Sequence, residues 1–239
     1  MSRTTSRLLG WSAALLTMAL FSTAGVWQLR RMYEKTASLD AAQRVLIDRI
    51  VKPLATAADN QRMRGYDWAA GVGKFDQRGA LLLDNQQYNS RNGVRAYRIF
   101  LPAQGVPLLV DLGWLPLGGD RVFPQIPRTE GPIELSGLLM PPPSAGLALG
   151  TGIAREGEDW LLTRVDPAAI ALVTGLSAPL APRVLRLDPK LPIGYERDLD
   201  ILPNTLPPQR HLGYAVQWFA LALAVLVTAL ILTFRKSRR

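Results

Sequence analysis

Hydrophobic positions are distributed along this chain in three regimes. An uncharged apolar run occupies 8–26 and a second occupies 214–234, while short apolar stretches broken by turn residues fill the middle. Each terminal run is close to the ~20 residues a helix needs to cross ~30 Å of hydrocarbon. The pattern predicts a membrane hairpin: a first transmembrane helix over 8–29, an extracytoplasmic domain over 30–210, a second transmembrane helix over 211–234 and a cytoplasmic basic tail over 235–239. A cleaved signal peptide is the rival reading of the first run, since Arg3 and Arg7 precede it. The run is long for that role, and Trp27 and Gln28 follow where small residues would permit cleavage.

Between the runs, Leu39, Ala42, Leu46 and Ile50 recur at helical spacing, so 34–50 reads as an amphipathic helix, ended by Pro53. Beyond it the pattern shortens to strands at 66–76, 80–85, 94–102, 106–114, 133–140, 160–165 and 183–188. Gln77-Arg78-Gly79, Ser90-Arg91-Asn92-Gly93 and Ala103-Gln104-Gly105 read as hairpin turns. A short helix at 167–173 has Asp166 as its N-cap. The expected fold is a mainly antiparallel β domain, a sheet or small barrel with short helices, flanked by the two spans. Trp114 is expected to be a packing anchor at the end of its strand. Two proline-rich stretches, at 141–143 leading into a Gly-rich loop and at 189–208, read as extended connections.

Charge changes the picture in one respect. All 19 acidic residues lie between the runs, whereas Arg3, Arg7, Arg235, Lys236, Arg238 and Arg239 lie outside them. Removing these six from the net charge of +9 leaves +3 for the remainder. The basic tail places both termini in the cytoplasm, and Arg30, Arg31 and Lys35 oppose this only weakly. In a bacterium the domain is then periplasmic, on the inner membrane. The high pI reports topology and contact with membrane lipids, and no basic stripe interleaved with aromatics points to nucleic acid.

Residue supply excludes most catalytic templates. There is no cysteine and one histidine, His211. Thiolate chemistry, iron–sulfur clusters, Cys-bound zinc and HExxH zinc sites are excluded. Gly71 to Phe75 and the Gly146 to Gly152 loop lack the residues of a phosphate loop, so their glycines read as turns or strand kinks. Paired carboxylates among Asp188, Glu196, Asp198 and Asp200 leave carboxylate hydrolysis open, beside the plainer reading of a solvated charged loop.

What remains is a group at the outer ends of the spans: Trp27 and Gln28 on the first, His211, Tyr214, Gln217 and Trp218 on the second. An aromatic belt accounts for the tryptophans. It accounts less well for a histidine and two glutamines, and a neutral imidazole there suits haem iron.

Separate blocks of the chain resemble a known family. Gly25-Val26-Trp27-Gln28-Leu29-Arg30-Arg31 is similar to its G-x-W-Q-x-x-R, and Leu82-Leu83-Asp84-Asn85 with Gly93 and Tyr97 to its L-D-N hairpin. Leu109 to Pro116, with Arg121 after it, resembles the L-V-N-R-G-W-V-P block, and 133–138 the following V-x-G-x-L strand. His211-Leu212-Gly213-Tyr214-Ala215-Val216-Gln217-Trp218-Phe219 resembles the entry into the second span. The chain is identified as resembling the Surfeit locus (Surf-one, or Shy-one) family of cytochrome c oxidase assembly factors. It departs at Leu112, where the family usually has arginine, and at Gln86, where a basic residue is common.

The resemblance implies a non-enzymatic assembly factor that binds haem a at the membrane and aids its insertion into the catalytic subunit of the oxidase, with haem a synthase a candidate partner. It implies His211 as iron ligand. Position alone adds the rest: Trp218, on nearly the same helix face, as a wall against the porphyrin, Tyr214, Trp27 and Gln28 at the same depth, and Arg30, Arg31 or Arg210 as a partner for a propionate at headgroup level, beside a solvated or lipid-phosphate role for each arginine. Two other readings stay open at this point: a protein-only scaffold for the oxidase subunit, and a membrane-anchored periplasmic enzyme or sensor.

Overall fold

The computed structural model describes residues 3–119, 122–143, 152–201 and 206–235. Arg121, the tail 236–239 and nearly all of the Gly-rich loop lie outside the described residues. The chain divides into two compact units, Met1–Asp40 with Thr205–Arg239 and Ala41–Asn204.

The first unit is a pair of helices. Helix α1 (Arg3–Asp48) runs through both the first apolar run and the segment expected to be amphipathic. It ends two residues earlier than expected because Arg49 turns into the left-handed region (φ 44°), leaving Ile50 exposed. Helix α3 (Pro208–Phe234) begins at a proline, whose missing N–H costs nothing in a first turn. Both are long and apolar enough to cross a membrane, consistent with a membrane-anchored protein.

The second unit is a mixed sheet of nine strands: β1 (Val51–Pro53), β2 (Asp67–Phe75), β3 (Leu81–Tyr88), β4 (Arg91–Pro102), β5 (Leu108–Pro116), β6 (Ile133–Met140), β7 (Ile153–Glu156), β8 (Asp159–Leu162) and β9 (Val184–Leu187). The order is β1-β2-β6-β9-β5-β4-β3-β8-β7, and β2 also pairs with β4. That extra pairing closes β2-β6-β9-β5-β4 into a small ring, possible because the twelve-residue β4 offers one edge to β3 along 91–97 and then to β2 along 100–102. Most pairings are antiparallel, but β1–β2, β3–β8 and β5–β9 are parallel, which the expected antiparallel sheet did not include. Helix α2 (Pro167–Val173) has the expected cap, with Asp166 accepting from the N–H groups of Ala168 and Ala169.

Two expected turns differ. The β3–β4 turn is Asn89–Ser90, both at positive φ (49° and 61°), rather than Ser90–Gly93. Positive φ at both central residues matches the twist of a two-residue hairpin, so Arg91 can already pair with Tyr88. Gln77-Arg78-Gly79 is a crossover, not a hairpin, because β2 and β3 do not pair.

Strand alternation divides the domain into two chemistries. Val94, Ala96 and Phe100 of β4, Leu108 and Val110 of β5, Leu135 and Leu139 of β6, and Leu185 and Leu187 of β9 form the apolar core. On the opposite face, Tyr97, Asp111 and Arg186 are register neighbours across β4, β5 and β9. Asp111 Oδ2 accepts from Arg95 Nη1 (2.9 Å) and Arg186 Nε (3.0 Å), while its Oδ1 accepts from the Gly113 N–H (3.0 Å). All three side chains are buried.

A second buried charge cluster holds the start of β2. Asp67 accepts from Lys52, Arg62 and Arg183, with Arg183 Nη1 at 2.6 Å and fully buried. Burial alone would raise the Asp67 pKa, but these three cations together lower it from 3.8 to about 2. A depressed folded pKa contributes stability that is complete above the unfolded value and lost as pH falls through about 2. The acid limb between roughly pH 4 and 2 is therefore expected to cost about 2 kcal/mol through this residue. Denaturant titrations at pH 5 and pH 2.5 check this, and Asp67→Asn should flatten the difference between them.

Candidate functional site

The two helices of the first unit meet along an antiparallel seam that matches residues at successive depths. Trp11 Nε1 donates to Thr233 Oγ1 (3.0 Å) at one end. Further along, the rings of Phe21 and Trp218 lie 5.5 Å apart. Gly25 then lets the helices close, since a Cβ there would stand 2.8 Å from the ring of Phe219. At the far end, His211 Nδ1 lies 2.7 Å from Gln28 Oε1. The G-x-W-Q block and the H-L-G-Y-A-V-Q-W-F block are thus two sides of one contact.

His211 stands in the first turn of α3 and is buried, as is Ala215 one turn on. An amide oxygen can only accept, so Nδ1 must carry the proton toward Gln28. Nε2 then keeps its lone pair, the tautomer an imidazole needs to bind a metal, with the second nitrogen held by a neighbour. Nε2 is itself buried and has no hydrogen-bond partner. Among the described residues no group of three or more His, Cys, Asp or Glu could hold a metal ion.

The other expected site residues divide. Gln28 is beside His211. Trp218 faces Phe21 rather than standing free as a wall, and Phe21 was not anticipated because an aromatic inside an apolar run carries no distinguishing signal. Trp27 is 59% exposed and Tyr214 lies at the border of exposure. Arg31 forms a surface ion pair with Glu34 (3.0 Å) one turn along α1. Lys35, also unanticipated, donates to the carbonyl of Leu206, tying α1 to the segment entering α3.

In the second unit the residues of the blocks that carry the resemblance have architectural contacts. Asp84 accepts from the N–H of Asn85, which sits at φ 57° where the β3–β4 register slips. Trp114 is fully buried. Its Nε1 donates to Gln86 O (3.1 Å), Arg91 lies over its ring and Tyr88 packs beside it. Gly93 opposite leaves no room for a Cβ, which would meet that ring at 2.5 Å. Leu112, where arginine was noted as missing, packs into the apolar core. Three of the four carboxylates weighed for hydrolysis are engaged elsewhere: Asp188 with Arg49 (3.2 Å), Glu196 with Arg91 (2.8 Å) and Asp198 with the Asp200 N–H (3.0 Å). The glycines of Gly71 to Phe75 belong to strand β2, with Gly73 tight against Phe100.

A search among curated proteins returns no match. The model of the SURF1 family matches residues 15–223, a stretch that takes in the helix seam from below Phe21 to beyond Trp218 and the whole β domain. With most of its length matched, the chain belongs to the SURF1 family, the Surfeit locus family of cytochrome oxidase assembly factors.

Proposed function

We propose that this protein serves cytochrome c oxidase assembly as a membrane-anchored carrier of haem a, which it receives in the bilayer and passes to the catalytic subunit. The observation that carries the reading is the buried Nε2 of His211, partnerless beside an Nδ1 fixed by Gln28. The chemistry of this nitrogen fits a ligand to haem iron, so His211 would hold the group and the iron would supply a Lewis acid there. Gln28 sets the tautomer and orients the ring. Trp218 and Phe21 give the seam an aromatic floor, and Arg31, held only by an exposed pair worth ~0–1 kcal/mol, is free to exchange Glu34 for a propionate. Trp27 and Tyr214 lie at the periphery of this site. Because Nε2 is enclosed, loading requires side chains over it to turn aside, which favours release as much as capture. Haem a synthase is the natural donor in this scheme.

A single ligand on an interhelical seam suits a transient carrier, for a resident cofactor is usually held more fully. In a strain lacking the protein, His211→Ala is expected to insert normally yet restore oxidase activity no better than the empty vector, whereas Gln28→Leu should restore it partly. Full restoration by His211→Ala would leave the protein-only scaffold as the function.

The same proposal places the β domain in the periplasm of a bacterium and both termini in the cytoplasm, on the strength of the basic ends. Alkaline phosphatase fused near residue 150 should be active and at the C-terminus inactive. The reverse pattern would overturn this orientation.

A further inference from the structure

The apolar face of the β domain contains one residue that does not belong there. Alternation along β4 puts Arg98 on the same face as Val94, Ala96 and Phe100, and its register partner on β5 is the core residue Val110. Its side chain is buried. Nη2 makes one long contact to Ile126 O (3.4 Å), while Nε and Nη1 have no acceptor. Among the described residues no carboxylate forms an ion pair with it. The other buried arginines differ: Arg95 and Arg186 share Asp111, and Arg183 holds Asp67.

A guanidinium cannot shed its charge, and a lone buried cation is costly. This one lines a cleft of about 530 Å³, walled by Leu82, Phe123 and Ile126. Three of the other charged groups at the cleft are already engaged. Arg128 pairs with Glu158 (2.8 Å), and Asp159 accepts from the Ala80 N–H (2.6 Å). One oxygen of Asp159 is thus held by the backbone, and Glu156 stands with it at the cleft wall.

We infer that this cleft is a binding site for a single oxyanion, a carboxylate or phosphate group, seated on Arg98. A planar guanidinium matches such a group geometrically, and the low-dielectric walls strengthen the pair. Arg128 and Glu158 neutralise each other, so Arg98 is the one unpaired cation among the described lining residues, and the remaining carboxylates, Glu156 and Asp159, oppose ligands of higher negative charge. The site lies within the β domain, so it gives the domain a ligand of its own, independent of the haem proposal.

The test is thermal unfolding of the full chain in detergent with sodium acetate, inorganic phosphate or sodium chloride at equal ionic strength. The wild type should gain about 5–10 °C with acetate or phosphate at a hundredfold excess over Kd, relative to chloride. A response to acetate alone names a carboxylate and a response to phosphate alone names a phosphate group. Arg98→Met should abolish the gain while leaving the midpoint in chloride equal or higher, because an apolar side chain suits that face. Should that variant fail to fold, Arg98→Lys, which keeps the charge but loses the fork, should reduce the gain severalfold. No gain over chloride in the wild type, or a gain that survives in both variants, would overturn the site.

Discussion

Asp111→Ala is expected to destabilise the β domain by about 3–5 kcal/mol, the cost of removing one partner from a buried ion cluster. The carboxylate stands between two buried guanidiniums and also accepts the Gly113 N–H where β5 slips register against β4. Without it, Arg95 and Arg186 face each other with no negative charge between them. Tyr97 does not supply that charge, because burial foremost pushes its pKa well up and keeps it a neutral phenol. For a domain of this size the loss corresponds to roughly 6–20 °C in unfolding midpoint. A control separates charge from packing: Arg95→Met, Asp111→Leu and Arg186→Met combined should recover most of the loss, since apolar replacement of a whole buried cluster is commonly neutral. An unchanged midpoint for Asp111→Ala alone would show that the two arginines are solvated after all.

Trp114→Ala should cost a similar ~3–5 kcal/mol, by a different mechanism. The ring has no exposed surface and joins three parts of the domain: Gln86 through its N–H, Gly93 through close approach, and Tyr88 with Arg91 through its faces. Its backbone N–H also donates to Glu196 O (2.7 Å), pinning the segment after β9. Alanine would leave a cavity the size of an indole beneath the β3–β4 hairpin. Gly93→Ala should be destabilising as well, because the new Cβ meets both Leu115 O and the same ring (2.5 Å), and the two substitutions together should cost somewhat less than their sum, since losing the ring relieves only the second clash. Denaturant unfolding of the single and double variants measures both effects, and strict additivity would contradict the packing described.

Much of this fold was legible along the chain because its signals are local. Uncharged runs of about twenty residues announce long helices, β6 appears with its expected ends, and the Asp166 cap announces α2. Other features depend on residues far apart in sequence. Val110 pairs with Leu185 and Leu81 with Trp160, and nothing near either residue signals a parallel partner. Ring closure depends on β4 outlasting β3, which is visible only when both registers are known. The buried arginines were hidden because an arginine in an alternating strand looks like a solvent-facing position. Asn89–Ser90 was passed over for the glycine at 93, since glycine is the stronger turn signal, but that glycine is needed for the tryptophan.

The site was legible in part for a related reason. A histidine and a glutamine at matched depth on two spans do not fit an aromatic belt, and that misfit singled out Gln28 and His211 before their contact was known. Trp218 was assigned to a ligand wall from helical spacing alone. Spacing says which face a residue occupies but not which neighbour it packs on there, and that neighbour is Phe21. Arg31 illustrates the same limit, since its closest carboxylate, Glu34, comes from its own helix.

The measurement that bears most directly on the proposed carrier role is the optical spectrum of the protein purified from cells that make haem a. The wild type is expected to carry a Soret band and the α band of haem a, and His211→Ala, inserted to the same level, is expected to carry neither. No other imidazole exists in the chain to replace it. Haem retained by His211→Ala with an unshifted spectrum would contradict ligation by this residue and the account built on it.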